Sequence, residues 1–317
     1  MPYSEKAVVP VNVGASLVQL TSLTTVQLNP WIQECQALAS GGETLERLPP
    51  PDRGAVAVNI QTLAGSVHSW GAIAATFPLM SVIKPFLLLY MLHQSSVEDV
   101  FSHVGRFPSE RPYNSVLQLE LDQGFPRNPM INSGAIRLAA NLEGKTPRHA
   151  CDRLAQWLND QAGCHLSLDR QILHQVHCHP NWQNRALARL LELAGHIQDG
   201  EMALEIYNCI CCLRGTVTDL ARLGLLLAGG QPQIQTRHRQ VVNALMFSCG
   251  LYERSADYAI DIGLPIKSGV SGAMVGIVPG QGAIASYSPP LDASGNSVFG
   301  LCFLRRLSQE LQLSPLA

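Results

Sequence analysis

Ser81 and Lys84 stand three residues apart in the run Ser81-Val82-Ile83-Lys84. If Ser81 opens a helix, that spacing puts both side chains on one face. A serine hydroxyl is a weak nucleophile until a base removes its proton. A lysine amine desolvated against Phe86 and Leu87 has a lowered pKa and can be that base. The helix N-terminus adds a positive field and free N–H groups beside the reacting carbon. The plainer reading is a capping serine followed by an ordinary lysine, because Ser-x-x-Lys is common.

A second constellation, Lys267-Ser268-Gly269-Val270, stands just before the run Ala273–Val278. It resembles the Lys-Thr-Gly element that follows Ser-x-x-Lys in β-lactamases and penicillin-binding proteins, with Ser in place of Thr. In such a site the strand edge offers a backbone N–H to the oxyanion, and the lysine and hydroxyl hold a substrate carboxylate. The alternative is a turn into an edge strand. The two motifs in this order are far more specific than either alone.

Other residues invite chemistry less strongly. His165, His174, His177, Cys178 and His179 lie within fifteen residues and form a zinc-type ligand set. Their spacing matches no zinc motif and there is no His-Glu-x-x-His, so surface histidines are favoured and no metal is expected. Cys209, Cys211 and Cys212 read as small apolar core residues. Gly280-Gln281-Gly282 lacks the strand–glycine–helix setting of a dinucleotide loop. Gly144-Lys145-Thr146 lacks the first glycine of a phosphate loop, since Ala139 stands there. No cofactor is expected.

These motifs need elements to position them. Gly54–Gln61 and Ser66–Trp70 read as two strands joined by the turn 62–65. Phe86–His93 is a continuous apolar run, as in a buried helix, and forms core behind the dyad. Helical segments follow near 96–104, 133–143, 148–162, 182–196, 201–213, 216–229 and 237–248. Ala273–Val278, Gly282–Tyr287 and Val298–Leu304 read as strands, and Ser308–Leu313 as the start of a closing helix. The layout is α+β: one antiparallel sheet built from both chain ends, with a large helical block inserted between them. Residues 1–30 read as an N-terminal extension forming a strand, an arm or a disordered segment. Residues 31–317 form a single catalytic domain, its sheet lobe at about 31–75 and 260–317 and its helical lobe at about 76–259.

Composition narrows the function classes. The chain has 317 residues, 46 % apolar and 15 % charged, which permits a large core and argues against disorder. Lys and Arg number 22 against 24 Asp and Glu, a net charge of −2, so the chain as a whole has no basic surplus for nucleic acid or anionic membrane. The N-terminus lacks the apolar core and cleavage site of a signal peptide. The longest apolar stretch, 86–92, is far short of the ~20 residues of a spanning helix. Nine cysteines, an odd number, make a disulfide framework unlikely, and free thiols suit a reducing compartment. A soluble, cytoplasmic protein that contacts neither nucleic acid nor membrane is expected.

Four stretches then carry a family resemblance: Phe77–Leu89, Tyr113–Ile136 (YNSVLQLELDQGFPRNPMINSGAI), Gly250–Val270 (GLYERSADYAIDIGLPIKSGV) and Ser288–Gly300 (SPPLDASGNSVFG). The chain resembles the serine-dependent glutaminases from about residue 35 to 308. The resemblance implies a serine β-lactamase/transpeptidase-like fold and hydrolysis of L-glutamine by water to glutamate and ammonia. It makes Ser81 the nucleophile and Lys84 its base, with Tyr252 beside them to shuttle protons or stabilise the amine; Ser81, Tyr252 and Val270 would also contact the substrate. The oxyanion hole would be the N–H groups of Ser81 and Val270. Asn132, Asn184 and Tyr207 would hold the α-amino and α-carboxylate groups, with Lys267, Ser268 and Gly269 in support. A homodimer or homotetramer is implied.

Two departures stand out. The family's substrate-contacting tyrosine falls on Arg47, and the glutamate that pairs with the substrate ammonium falls on His177. No Glu lies anywhere in 163–191. The dyad is therefore intact while half of the amino-acid recognition shell is altered. Two further readings follow: a divergent serine amidase acting on another carboxamide, and a catalytically weak binding or assembly protein of the same fold.

Overall fold

The computed structural model describes residues 20–39 and 55–316. In chain order its elements are α1 (Thr25–Ala39), β1 (Ala57–Thr62), β2 (Val67–Gly71), β3 (Phe77–Pro78), α2 (Lys84–Gln94), α3 (Val97–His103), α4 (Val116–Leu121), α5 (Asn132–Ala139), α6 (Pro147–Ala162), β4 (Ser167–Leu168), α7 (Arg170–Cys178), α8 (Trp182–Leu193), α9 (Gly200–Cys211), β5 (Leu213–Gly215), α10 (Val217–Ala228), α11 (Thr236–Cys249), α12 (Ser255–Asp261), β6 (Ile266–Ser268), β7 (Ala273–Val278), β8 (Gly282–Tyr287) and α13 (Val298–Glu310).

The five-stranded sheet runs β2-β1-β8-β7-β6 and is antiparallel throughout. Strands from both sides of the helical block therefore meet, as expected. β1, β7 and β8 are buried along their whole lengths, while edge strand β2 alternates between exposed and half-buried residues. Helices on both faces explain this, because a doubly covered strand must be apolar on both sides. On one face Leu220, Leu223 and Leu227 of α10 pack with Val275, Ile277, Ala283 and Ala285. On the other, Leu28 and Ile32 of α1 and Phe299, Phe303 and Leu307 of α13 cover Val58, Ile60, Met274 and Ile284. Each such side chain contributes about 1.5–3 kcal/mol on burial.

Val298–Leu304 is not a strand but the first half of α13, and Ser308–Leu313 contains the end of that helix rather than its start. Its aromatic and branched residues suit either structure. The apolar residues Phe299, Phe303, Leu304 and Leu307 keep the helical period, and Phe299 stacks on Phe303 at 5.6 Å. Ser297 caps the helix by accepting the Gly300 N–H at 3.2 Å.

The segment before residue 31 holds the first turns of α1, so the helix crosses that position. The Thr24 N–H donates to Gln27 Oε1 at 2.9 Å at its start. Cys35 of α1 and Cys302 of α13 form a disulfide, with Cα atoms 5.6 Å apart. The expectation of free thiols is corrected at that pair; the other seven cysteines are free. Helices α1, α4, α7 and α12 and the small sheet β3-β5-β4 were not expected from the sequence. No helix among the described residues is long and apolar enough to cross a membrane.

Candidate active site

The small sheet delivers the chain to Ser81. β3 pairs with β5, and the Leu79 N–H donates to Leu213 O at 2.7 Å. Met80 then takes φ +48°, a left-handed conformation that is strained for a side chain of its size. Ser81 follows inside a 3₁₀ turn, Met80–Ile83, and α2 itself starts at Lys84. Ser81 does not cap either segment: the N-cap positions are Leu79 and Ile83, and neither makes a side-chain cap bond. The capping-serine reading therefore fails.

Lys84 is fully buried. Its Nζ donates to Asn132 Oδ1 at 2.7 Å and to Met130 O at 3.3 Å. Burial, opposed by Cys211, lowers its pKa from 10.5 to about 8. A neutral amine has two N–H bonds and a lone pair; the two acceptors take the N–H bonds and leave the lone pair uncommitted.

Asn132 is the first residue of α5, and a tight turn sets it there. Asn128 Oδ1 accepts the N–H groups of Met130 and Ile131 at 2.9 and 3.2 Å, and its Nδ2 donates to Phe107 O. Gly134 makes the turn possible, since a Cβ there would lie 2.0 Å from Asn128 O. Asn132 then joins three elements. Its Oδ1 accepts from Lys84 and from the Tyr207 hydroxyl at 3.0 Å, and its Nδ2 donates to Asn184 Oδ1 at 2.8 Å. Asn184 stands in the first turn of α8, where Asn181 accepts its N–H. Burial raises the Tyr207 phenol well above its usual pKa, so it stays protonated.

Tyr252 closes the other side with φ +59°. Its hydroxyl donates to Ser268 O at 3.2 Å. Burial raises its pKa, against hydrogen bonding with Ser81 and Ser268 that pulls the other way. Lys267 Nζ sits 4.2 Å from the centre of the Tyr252 ring and donates to Gly250 O and Ser268 O, both at 2.8 Å. Burial and the Lys84 charge hold Lys267 well below the usual lysine pKa. The Ser268 hydroxyl donates to Asn296 Oδ1 at 2.5 Å. Lys267 and Ser268 give their polar atoms to Gly250, Ser268 and Asn296 in the wall and are not among the residues lining the cavity over Ser81. Gly269 lets this wall approach the nucleophile, because a Cβ there would come within 2.7 Å of Leu79 O. None of the described backbone hydrogen bonds takes the Val270 N–H.

A cavity of about 560 Å³ opens over these groups. Ser81, Asn132, Asn184, Tyr207 and Val270 all line it, and so does His177; Lys84 and Tyr252 stand behind. Arg47 lies outside the described residues. Cys211 is buried and also faces the cavity, next to Tyr207, with its thiol pushed up to about 11 by burial. Sequence reasoning missed Tyr113, Glu201 and Glu205, which line the cavity too. The Tyr113 ring lies 4.5 Å from that of Tyr252. Glu201, Leu204, Glu205 and Asn208 share one stripe of α9, a helical period visible in the sequence once Tyr207 is placed.

The histidine-rich segment is the end of α7, and its side chains take separate partners. His177 Nε2 meets both Glu205 carboxylate oxygens, at 2.9 and 3.0 Å. His174 faces Cys178 at 3.6 Å, and His179 contacts Gln175 O. Among the described residues, no three His, Cys, Asp or Glu side chains converge as a metal site.

A family model described as Glutaminase matches residues 42–315. The chain is 40 % identical to a glutaminase of Synechocystis sp. over 95 % of its length and 94 % of the relative's. A solved structure of a probable glutaminase from Bacillus subtilis superposes with a TM-score of 0.85 at 27 % identity, covering 93 % of this chain and 98 % of that one. Another, a probable glutaminase named ybaS, gives 0.84 at 31 % identity, covering 92 % and 99 %.

Proposed function

The chain belongs to the glutaminase family and has its serine β-lactamase-like fold, and from that premise we propose a seryl acyl-enzyme mechanism centred on Ser81 and Lys84. The reaction is hydrolysis of the side-chain amide of L-glutamine to L-glutamate and ammonia. One observation carries the mechanism. A fully buried lysine, three residues from a cavity-lining serine, has its pKa brought down to about 8 and both N–H bonds of its neutral form occupied.

Ser81 Oγ attacks the carboxamide carbon as the Lys84 lone pair takes its proton. The oxyanion is held by the N–H groups of Ser81 and Val270. Lys84 returns the proton to the departing nitrogen, directly or through the Tyr252 hydroxyl, and ammonia leaves. Water then adds to the glutamyl ester by the same route reversed, and glutamate leaves. Asn132, Asn184 and Tyr207 bind the amino-acid end, with Lys267, Ser268 and Gly269 bracing the wall behind Tyr252. The protonated Tyr207 phenol and the Asn132–Asn184 bond support that assignment.

Two finer assignments belong to this proposal. Exposed Leu117 and Leu121 of α4 and Leu193 of neighbouring α8 support a homo-oligomer, to be checked by light scattering. The seven free cysteines support a cytoplasmic location and the Cys35–Cys302 bridge counts against it, to be checked by fractionation.

The test of function is ammonia release from L-glutamine, L-asparagine and simple primary amides, with Ser81→Ala as control. Glutamine-preferring release that vanishes in Ser81→Ala is the expected result. Ser81-dependent release from another amide alone would replace glutamine as the substrate.

A further inference from the structure

L-Glutamine bound with its carboxamide at Ser81 points its α-ammonium and α-carboxylate into the rest of the cavity. An ammonium taken out of water is costly unless a carboxylate meets it. The α7–α8 segment supplies none, and its His177 has no negative charge to offer. The acids that line the cavity among the described residues are Glu201 and Glu205, both on α9. Glu201 is exposed in the first turn. Glu205 is one turn further in and about two-thirds buried at its side chain.

We infer that Glu205 is the residue that selects substrates bearing an α-ammonium group, and that His177 positions it. This inference rests on the glutamine reading above. His177 Nε2 contacts both carboxylate oxygens of Glu205, and Asn208 Nδ2 donates to Oε2 at 3.4 Å. A carboxylate only accepts hydrogen bonds, so the His177 nitrogen facing it carries a proton and donates. The acid is thereby held in one rotamer from two helices. Cys209 Sγ also donates to Oε1, at 3.9 Å. An ionised carboxylate has about four acceptor positions, so these three donors leave room for an ammonium. His177 and Glu205 are 28 residues apart in sequence, on α7 and α9, and meet at the cavity. Without Glu205, the one acid left in the cavity lining among the described residues is Glu201, which is exposed in the first turn of α9.

The test compares L-glutamine with 5-amino-5-oxopentanoate, which keeps the carboxamide and carboxylate but lacks the ammonium. The readout is the ratio of the two kcat/KM values. In Glu205→Gln that ratio falls roughly tenfold or more, with the change mainly in the KM for glutamine. Glu205→Asp falls in between, and His177→Ala gives a smaller loss of the same kind. Partial misfolding lowers both substrates together, so the ratio is insensitive to it. An unchanged ratio in Glu205→Gln, with Ser81-dependent glutamine turnover retained, overturns the inference. Absence of Ser81-dependent turnover of L-glutamine by the unmodified protein overturns the functional reading, and the inference with it.

Discussion

Lys84 Nζ lies 2.7 Å from Asn132 Oδ1, and the same oxygen accepts from Tyr207 while the Asn132 amide donates to Asn184. One carboxamide therefore joins the proton-transfer pair to the residues proposed to bind the amino-acid end. Asn132 has the right chemistry for this, with acceptor and donor on one rigid plane. The consequence is that substrate binding and the basicity of Lys84 are coupled through a single side chain.

That coupling is tested by Asn132→Asp. A carboxylate beside the amine favours its charged form and raises its pKa. The alkaline-side rise of kcat/KM moves to higher pH, and activity at pH 7.5 falls by roughly tenfold or more. The variant also loses the donor to Asn184, so KM rises. A rate–pH profile with the limb left in place would refute the coupling.

The unmodified enzyme has its own pH signature. Lys84 must be neutral to act as base, and its pKa is about 8. The kcat/KM for glutamine rises with pH through a limb near that value. Lys84→Ala removes the limb and lowers kcat by roughly 10²–10⁴.

Stability should carry the same mark. Lys84 titrates at about 8 in the folded protein against 10.5 in the open chain. Below 8 both states bind the proton, and burying the charge costs about 3 kcal/mol. Between 8 and 10.5 the unfolded state binds more protons, so rising pH stabilises the fold and this cost disappears. Lys84→Met lacks the effect. The stability difference between the two proteins, read from urea midpoints, moves in favour of the unmodified enzyme across that window. A difference that stays flat would mean the amine is not desolvated.

Much of this was legible before any coordinates. Ser81, Lys84 and the Lys267-Ser268-Gly269 run announce themselves by spacing, and the buried helix behind them by its unbroken apolar residues. The assembly of the sheet from both chain ends follows from where the strand-like runs stand. What failed had physical causes. Val298–Leu304 has strand-like composition, and only the spacing of Phe299, Phe303 and Leu307 and the cap at Ser297 reveal a helix. The partners that Lys267 and Ser268 take, Gly250, Ser268 and Asn296, come from distant segments and the backbone, which motif spacing does not reveal. Glu205 escaped notice because a local search around His177 cannot see a partner on another helix.

The Cys35–Cys302 bridge ties α1 to α13 across 267 residues. Closing so long a loop restricts the unfolded chain, and its loss costs about 2–5 kcal/mol. Cys302→Ser, or reduction, lowers the melting temperature and loosens α1 first, as read by amide exchange over Thr25–Ala39. Catalysis at 25 °C persists, because the dyad lies on the opposite face of the sheet. Equal melting temperatures with and without reductant would contradict the bridge.

Gly269 gives a steric test of the wall behind the nucleophile. A methyl group there meets Leu79 O at 2.7 Å and Val82 Cγ2 at 3.0 Å. Gly269→Ala pushes Val270 away from Ser81 and costs about 1–3 kcal/mol of stability. The loss falls on kcat more than on KM, since the oxyanion contact is made in the transition state. A proportional loss in both would place the damage elsewhere.

The proposed mechanism passes through a covalent glutamyl ester on Ser81. Rapid acid quench during turnover of L-glutamine, followed by intact-mass and peptide mass spectrometry, reads it directly. The account predicts one glutamyl group per chain, located on the peptide containing Ser81 and absent from Ser81→Ala. Glutamine turnover retained in Ser81→Ala, or a glutamyl adduct found only on a peptide that lacks Ser81, would contradict it.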